Sequence, residues 1–388
     1  MDLYFSPEDD AFRDEVRTWL HENVPRGIVP DDGKAMRDFD LAWQRTQWDG
    51  GWAGISWPTE YQGRGLGLIQ QLIWYEELAR ADAPDARSAF VGIAHGGPTL
   101  IARANEEIKS FHLPKILRGE VVWCQGFSEP ESGSDLASLR TKGVIDGDQL
   151  VVTGQKIWTS YADVADYQEL LVRTNPDVPK HKGITWVVCD MRSPGIEVRR
   201  IKTMARDHHL NEVFYDEVRI PLTNVVGDID EGWSVAMSTL GFERGTAFTA
   251  RQVKLSKSVE RLIELAAGRR SFNGKAMIED DEIARRLGRA RAGVASMRAM
   301  TYAGISRNAT RPPGPEGSML KLYYSELIKV VAQLSLDILG PDALRFLPDG
   351  DPDGWTGSYM RSFASSIGGG TSEILRNIIG DRVLGLPR

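Results

Sequence analysis

The sequence predicts an α+β protein that runs from a helical zone through a β zone to a second helical zone. Apolar residues recur at helical spacing up to about residue 119. Short apolar runs separated by turn residues fill 120–231, and helical spacing returns over 232–388. A chain of 388 residues is long enough for two or three packed modules. We therefore expect domains at 1–119, 120–231 and 232–388.

Composition excludes several classes of protein. Hydrophobic residues make up 41% and charged residues 26% of the chain, as in ordinary globular proteins. The net charge of -7 and the absence of a long basic block disfavour a nucleic-acid partner. No apolar run is long enough to span a bilayer, and the acidic N-terminus does not resemble a secretory signal. Two isolated cysteines, Cys124 and Cys189, predict buried thiols in a reducing cytoplasm.

The first zone opens with a strong helix signal. Ser6 suits the N-cap, Pro7 the first helical position and Asp9 the third, which together predict a capping box. An apolar stripe at helical spacing follows, formed by Phe12, Val16, Trp19 and Leu20. A second helix is predicted over 68–81, with a core side formed by Leu72, Ile73 and Leu78.

The second zone contains six apolar runs that predict strands. Asp146-Gly147 separates two strand-like runs and predicts a hairpin. Four further strands are predicted at VVWCQGF, ITWVVCDM, IEVRRI and EVFYDEVRI.

The third zone contains the clearest helix of the chain, from Ser318 to Leu339. Ser318 is the predicted cap, and Gly340 and Pro341 end the helix. The broad apolar side comprises Leu322, Leu327, Ile328, Val331, Leu334 and Ile338.

Two common site motifs fit poorly. GRGLG at 63–67 lacks both the GxGxxG spacing and a preceding strand, so a surface turn is the better interpretation than a dinucleotide fold. The adjacent His208 and His209 diverge in any regular structure, and no HExxH motif accompanies them. We therefore expect no metal site.

Two segments of the β zone suit a heteroaromatic ligand. The loop within 124–141 gathers Ser128, Ser132, Gly133 and Ser134, whose hydroxyl and backbone N–H groups can bind a ring or a phosphate. On composition alone, a plain polar loop is equally compatible. In 154–162, Trp158 can cover a ring beside two hydroxyls, although such a Trp more often packs in a core.

Two segments of the last zone have an ordinary structural interpretation as well. Glu243 and Arg244 stand near the start of a helical segment, where the helix dipole favours a carboxylate. Three glycines then precede Thr371 and Ser372, either of which can cap the final helix.

Taken together and in this order, these segments resemble the acyl-CoA dehydrogenase family over nearly the whole chain. The resemblance is strongest at SEPESGSD, GQKIWTS, RIPLTNVVGDIDEGW and GTSEILRNIIGDRVLGLPR. It implies an N-terminal helical domain, a middle β-barrel-like domain and a C-terminal four-helix bundle. It also implies that FAD lies between the last two domains, with its ADP half reaching a neighbouring subunit.

The resemblance also implies the cofactor contacts. On this mapping, the flavin and the thioester are edged by Gln125, Phe127, Ser128, Gly133 and Ser134. Trp158 would pack on the isoalloxazine, and Ser160 would bond flavin N5. The implied contacts with the dinucleotide, some of them to a partner's FAD, come from Arg269, Phe272, Thr371 and Glu373.

The implied reaction removes the α-proton of an acyl-CoA while the β-hydrogen leaves as hydride. The pKa of the base must be raised. The thioester oxygen must also be stabilised, in part by the backbone N–H of Gly369. Many family members carry the catalytic Glu where this chain has Gly369. A smaller set carries it before an Arg on a bundle helix, where this chain has Glu243 and Arg244. We therefore assign the base to Glu243, with Arg244 holding its geometry.

A second departure concerns assembly. The family has a Gln-x-x-Gly-Gly element at this point. In this chain, Asp337 stands at the Gln position, and Gly340-Pro341 stands where the family has Gly-Gly. Asp337 would repel a pyrophosphate, so we expect an α2β2 heterotetramer with a paralogous chain rather than a homotetramer. The motifs resemble actinobacterial enzymes of sterol breakdown, which implies a bulky, branched or steroid-derived acyl-CoA and an electron-transfer flavoprotein as acceptor. A silent partner subunit and a flavin acyl-CoA oxidase are the alternatives.

Overall fold

A computed structural model describes residues 5–242, 248–308, 314–315, 317–344 and 354–387. The helices of this part of the chain are α1 (Pro7–Asn23), α2 (Gly33–Asp49), α3 (Leu68–Arg80), α4 (Gly97–Arg103), α5 (Glu106–Leu117), α6 (Gly232–Phe242), α7 (Phe248–Gly268), α8 (Asp281–Asn308), α9 (Gly317–Leu339), α10 (Trp355–Ser362) and α11 (Ser372–Ile378). The strands are β1 (Trp123–Gly126), β2 (Lys142–Asp146), β3 (Gln149–Ser160), β4 (Tyr167–Arg173), β5 (Ile184–Asp190), β6 (Ile196–Ile201) and β7 (Leu210–Pro221). The predicted α+β class is confirmed.

Helix α1 begins where its capping signal predicts. The N–H of Asp9 donates to Ser6 Oγ at 3.2 Å, and the N–H of Ser6 donates to Asp9 Oδ2 at 3.1 Å. These reciprocal bonds satisfy donors that a helix start otherwise leaves unpaired. Phe12, Val16 and Leu20 are buried, as the stripe predicts.

The seven strands form one curled sheet in the order β1-β4-β2-β3-β7-β6, with β5 paired to β4. The predicted β2–β3 hairpin is confirmed, and Gly147 turns it with φ +62°. Strand β4 was not predicted. It lies between β1 and β5 and is buried along its length, yet its interior carries Gln168 and Glu169, which hide the apolar pattern of a strand.

The sheet has an apolar cluster on each face. One face packs on helices α4, α5 and α6 through a core that includes Trp57, Trp123 and Trp186. The other face closes on itself around Cys124, Cys189 and aliphatic residues of β3, β4 and β7. Both thiols are free and buried, as predicted. Burial raises the pKa of Cys124 well above its usual range and that of Cys189 to about 12.

Helix α9 differs from its prediction at its start. It begins at Gly317, so Ser318 lies inside the first turn, where it is fully buried and donates its N–H to Pro315 O at 3.0 Å. The predicted role of Ser318 as the cap is therefore wrong, because the preceding residue already has helical geometry. Gly340, with φ +57°, ends the helix as predicted.

The described chain divides into two compact units. The helical unit comprises Met1–Glu22, Gly67–Ala83 and Arg244–Arg388, and the sheet unit comprises Asn23–Leu66 and Pro84–Glu243. Helices α1 and α3 belong to the helical unit because α3 packs on α7 and α8, whereas α2, α4 and α5 pack within the sheet unit. The domain boundaries predicted at 119 and 231 follow secondary-structure class rather than packing, and they stay a prediction.

A buried charge network joins α1 to α3 inside the helical unit. Glu76 has almost no exposed surface and accepts from Arg13 at 3.0 Å and from the hydroxyl of Tyr302 at 2.6 Å. The same Arg13 donates to Glu77 at 2.7 Å. Since α8 carries Tyr302, these bonds tie three helices of the unit together.

Candidate active site

The loop that follows β1 is anchored by a buried ion pair. Lys156 on β3 has no exposed surface, and its Nζ lies 2.8 Å from Glu129 Oε1 and 3.1 Å from the carbonyl oxygen of Phe127. Burial lowers the pKa of Lys156 to about 8 against the opposing attraction of Glu129. Burial raises the pKa of Glu129, but Lys156 and two further hydrogen bonds outweigh it and leave the pKa below its usual value. The pair fixes the start of the loop on β3.

The same carboxylate also closes the far end of the loop. Glu129 accepts from the backbone N–H of Arg140 at 2.6 Å and of Thr141 at 2.9 Å. Inside the loop, the N–H and carbonyl of Glu129 exchange 3.0 Å bonds with Ser132, whose Oγ lies 2.7 Å from Ser138 Oγ. Both ends of the loop therefore meet at one buried side chain.

The predicted ligand-edge residues of this loop differ in exposure. Phe127 is buried, and Ser128 is half-buried with its carbonyl accepting from the N–H of Ile157 at 2.9 Å. Gly133 and Ser134 are exposed at the loop tip. A loop held at both ends with hydroxyls at its edge can present donors to a ring or a phosphate without reorganising.

Trp158 lies at a break in the pairing of β3 with β7. The register shifts between Lys156 and Thr159, and Trp158 adopts φ +62°. Its side chain is 56% exposed, which is unusual for the largest aromatic residue. A non-glycine residue in the left-handed region at a bulge is a strained conformation that re-aims a side chain. Here the bulge turns an indole outward.

Ser160 is held by bonds on both sides of it. The carbonyl of Thr159 accepts from Asn211 Nδ2 at 3.0 Å, and the N–H of Tyr161 donates to the His209 carbonyl at 2.7 Å. Ser160 itself is half-buried. Trp158 and Ser160 therefore lie on the same strand as Lys156, beside the loop that carries Phe127 and Ser128.

Gln125 lies on β1, two residues before Phe127, and its side chain makes polar contacts within the core. Its Nε2 donates to Glu169 Oε1 at 2.7 Å and lies 3.4 Å from His95 Nδ1. The three residues place a polar cluster behind the predicted ligand edge. Neither Glu169 nor His95 was predicted to belong to the site, because a residue on an unpredicted strand and one on a helical turn share no local motif with Gln125.

The remaining predicted residues that the structure describes belong to the helical unit. Gly369 is exposed with φ +67°, and Gly370 follows with φ +97°. Thr371 caps α11 by accepting from the N–H of Ile374 at 3.3 Å, as one of the predicted caps does. Glu373 is exposed and lies 3.3 Å from Arg376.

Arg269 and Phe272 stand where α7 ends. Arg269 Nη2 donates to the Leu339 carbonyl at 2.6 Å and to the carboxylate of Asp342. Phe272 is fully exposed, so its ring has no packing partner among the described residues. The predicted base Glu243 and its neighbour Arg244 lie outside the described residues.

The described residues support neither a metal site nor a membrane-spanning helix. These residues contain no group of three or more side chains suited to hold a metal ion. None of their helices is long and apolar enough to cross a membrane.

Family models match almost the whole chain in three consecutive parts. The acyl-CoA dehydrogenase N-terminal, middle and C-terminal domains match residues 6–120, 124–218 and 230–384. The first and third matches cover the predicted helical zones, and the second lies in the predicted β zone. The predicted three-domain fold is confirmed by these matches.

Relatives and solved structures match over the full length. The chain is 37% identical over 386 residues to acyl-CoA dehydrogenase IpdE1 of Mycobacterium tuberculosis, covering 98% of both chains. It is 31% identical to a chain of the ChsE4-ChsE5 complex of Mycobacterium tuberculosis, with a TM-score of 0.85 and complete coverage of both chains. A chain of the Tcur3481-Tcur3483 steroid ACAD matches with the same TM-score and coverage at 30% identity.

Proposed function

Since this chain belongs to the acyl-CoA dehydrogenase family, and is thereby an oxidoreductase, we propose that it converts an acyl-CoA thioester to the trans-2-enoyl-CoA with FAD as its cofactor. The conformation of Trp158 carries the proposal. An indole turned outward by a strained bulge, two residues before Ser160 and beside a doubly anchored loop, is what a flat ring needs for stacking and edge contacts.

The residues of the sheet unit fit a flavin. Trp158 would cover the ring, the hydroxyl of Ser160 would bond its N5 edge, and the hydroxyl of Ser128 another polar edge. When bound, FAD supplies the acceptor for the β-hydrogen as hydride. The protein's part is to place the two reactants and to exclude water.

We assign the removal of the α-proton to Glu243, with Arg244 holding the carboxylate in place. The backbone at Gly369 supports this assignment. A Glu at φ +67° would be strained, whereas Gly adopts that conformation freely. In this chain, Gly369 would instead direct its N–H to the thioester oxygen, where negative charge develops as the α-proton leaves.

Two ion pairs support a heteromeric assembly. In the family pattern, Arg269 would reach a partner's FAD, but here Arg269 is neutralised by Asp342. Asp337 replaces the family's Gln, so the amide donor of that position is lost, and its ion pair with Arg286 at 2.7 Å engages a second cation of this unit. We propose an α2β2 heterotetramer in which a paralogous chain supplies the ADP half of the site. The ChsE4-ChsE5 complex, a relative of two named chains, supports this.

The assembly is tested by expressing this chain alone and with a paralogous chain, then measuring mass and FAD per chain. The proposal expects one FAD for two chains in the mixed complex and little FAD in this chain alone. A homotetramer with one firmly held FAD in every copy would contradict it.

The substrate class follows the relatives. A solved structure named as a steroid ACAD supports a bulky, branched or steroid-derived acyl group for this chain. We propose electron-transfer flavoprotein as the acceptor and a cytoplasmic location, which the two free thiols support.

Anaerobic mixing of the FAD-loaded protein with acyl-CoAs of increasing bulk tests the substrate. Reduction by none of them would favour a silent partner subunit, and rapid reoxidation by dioxygen would favour an acyl-CoA oxidase.

A further inference from the structure

A buried polar cluster, formed by Gln125, Glu169 and His95, interrupts the apolar core of the sheet unit. Gln125 and Glu169 are partners in the parallel β1–β4 ladder, so their side chains share one face of the sheet. The same face carries Trp123 and Phe127, which belong to the apolar core. His95 approaches from the turn before α4, where its ring lies 4.9 Å from that of Phe90.

Burial of this polar cluster lowers the stability of the sheet unit. Glu169 has no exposed surface, and only 4% of His95 is exposed. Polar groups in an apolar core destabilise the fold unless they are hydrogen-bonded, and an apolar trio of similar volume would pack there at less cost. The single member that is half-buried rather than buried is Gln125, which is itself one of the predicted ligand-edge residues.

The contacts determine which way the amide of Gln125 points. The amide nitrogen of Gln125 lies 2.7 Å from Glu169 Oε1, which accepts one of its two hydrogens. The second amide hydrogen faces His95 Nδ1 at 3.4 Å, which accepts it when the ring carries its proton on Nε2. Both donors of Gln125 are then committed inside the core. Its carbonyl oxygen is the remaining group, and within the described residues no donor reaches it.

We propose that Glu169 and His95 are positioning residues that hold Gln125 as a fixed acceptor for the ligands of this site. The inference rests on the proposed function. The fixed carbonyl takes an N–H or O–H donor, which can come from the flavin or from the acyl-CoA. An acceptor locked in one orientation binds such a donor without the loss of amide freedom that an unrestrained Gln would suffer.

Three variants of the full-length protein separate orientation from packing. Glu169→Gln keeps an acceptor for the Gln125 amide. Glu169→Met removes it but leaves Gln125 in place. Gln125→Met with Glu169→Met replaces the bonded pair by two apolar side chains of similar shape, an exchange that is close to neutral for stability. For each variant, assembled with the paralogous chain, we would measure the melting temperature, the Kd of FAD and the Kd of an acyl-CoA.

The proposal expects the double variant and Glu169→Met to weaken one ligand by about 5–10-fold, the effect of one hydrogen bond. Glu169→Gln stays within about twofold of wild type because its amide oxygen still orients Gln125. A loss confined to FAD assigns the donor to the flavin, and a loss confined to acyl-CoA assigns it to the substrate. His95→Asn, which can still accept, should keep the affinity that His95→Leu loses.

Three outcomes would overturn the proposal. Unchanged Kd values in the double variant would mean that Gln125 bonds neither ligand. Equal losses in Glu169→Gln and Glu169→Met would mean that charge, not orientation, matters. Losses that follow the melting temperature across all variants would mean that the cluster serves packing alone. A wild-type protein that binds neither FAD nor acyl-CoA even when assembled with the paralogous chain would instead refute the proposed function.

Discussion

The Nζ of Lys156 lies 2.8 Å from Oε1 of Glu129, at a position where Lys156 has no surface exposed to solvent. The two residues are far apart in sequence, and their contact joins the loop at 127–141 to β3. Because the loop carries Ser128 and the strand carries Ser160, this pair sets the spacing between two hydroxyl groups of the candidate flavin site.

Removing one partner of this pair should destabilise the sheet unit strongly. Lys156→Met leaves the Glu129 carboxylate buried without its cation, which costs about 3–5 kcal/mol in comparable buried pairs. We expect a lower free energy of unfolding in urea and a weaker Kd for FAD. Glu129→Gln keeps one acceptor oxygen for the loop backbone, and Lys156, whose pKa burial already lowers to about 8, can lose its proton, so this variant should lose less. A Lys156→Met protein as stable as wild type would contradict this role.

The strain at Trp158 should be separable from its binding role. Trp158→Gly removes a side chain from φ +62°, so we expect the melting temperature to hold or rise. The same change should weaken FAD about tenfold or more, because stacking area on the ring is lost.

Gln62→Gly is the matched control for Trp158. Gln62 also has a positive φ, of 63°, lies in the sheet unit and is not one of the predicted site residues. Its melting temperature should likewise hold or rise, with no change in FAD affinity. Unchanged FAD affinity in Trp158→Gly would remove Trp158 from the cofactor site.

His112 should make the protein less stable in acid. Burial, assisted by Lys115, lowers the pKa of His112 to about 4, and its Nδ1 has no hydrogen-bond partner in the part of the chain that the structure describes. The folded state therefore binds its proton less readily than the unfolded state, whose pKa is near 6.5. Stability is complete above pH ~6.5 and is lost progressively as the pH falls towards ~4, by up to about 3 kcal/mol.

His112→Phe tests this loss by unfolding in urea at several pH values between ~4 and ~7. The ring would keep its contacts with Trp123 and Tyr167, whose centroids lie 5.1 and 4.7 Å from that of His112. We expect a flatter pH dependence than in wild type, and no such flattening for His21→Phe at the exposed end of α1. If the stability of His112→Phe depends on pH as in wild type, another group causes the acid sensitivity.

Local signals in the sequence predicted the elements that local interactions determine. The capping box at Ser6 and the hairpin at Gly147 need only a few neighbouring residues, and both are present. Strand β4 escaped prediction because Gln168 and Glu169 are buried in tertiary contacts that no local pattern reveals. The start of α9 was misplaced by one residue for a similar reason, since Ser318 is buried by packing.

The residues of the candidate site also divide into those that local motifs predict and those whose contacts only the tertiary structure shows. Trp158 and Ser160 were predicted through motifs, and their strand is as expected, but the bulge that turns Trp158 outward has no local sequence signal. Lys156 stood within the same GQKIWTS motif, but no local feature of that motif shows that the side chain is buried against Glu129. The pairing of Arg269 with Asp342 depends on how α7 meets the end of α9, which only tertiary structure shows.

The most direct test of the central claim is anaerobic mixing of wild type and Glu243→Gln with an acyl-CoA that the wild type dehydrogenates. The rate of loss of flavin absorbance near ~450 nm is the measurement, and loss of a catalytic base commonly lowers a rate by ~100-fold or more. Glu231→Gln, an exposed carboxylate before α6, is the control and should react like wild type. The account predicts that Glu243→Gln binds FAD and acyl-CoA but bleaches at least ~100-fold more slowly. Bleaching at the wild-type rate would show that another group takes the α-proton.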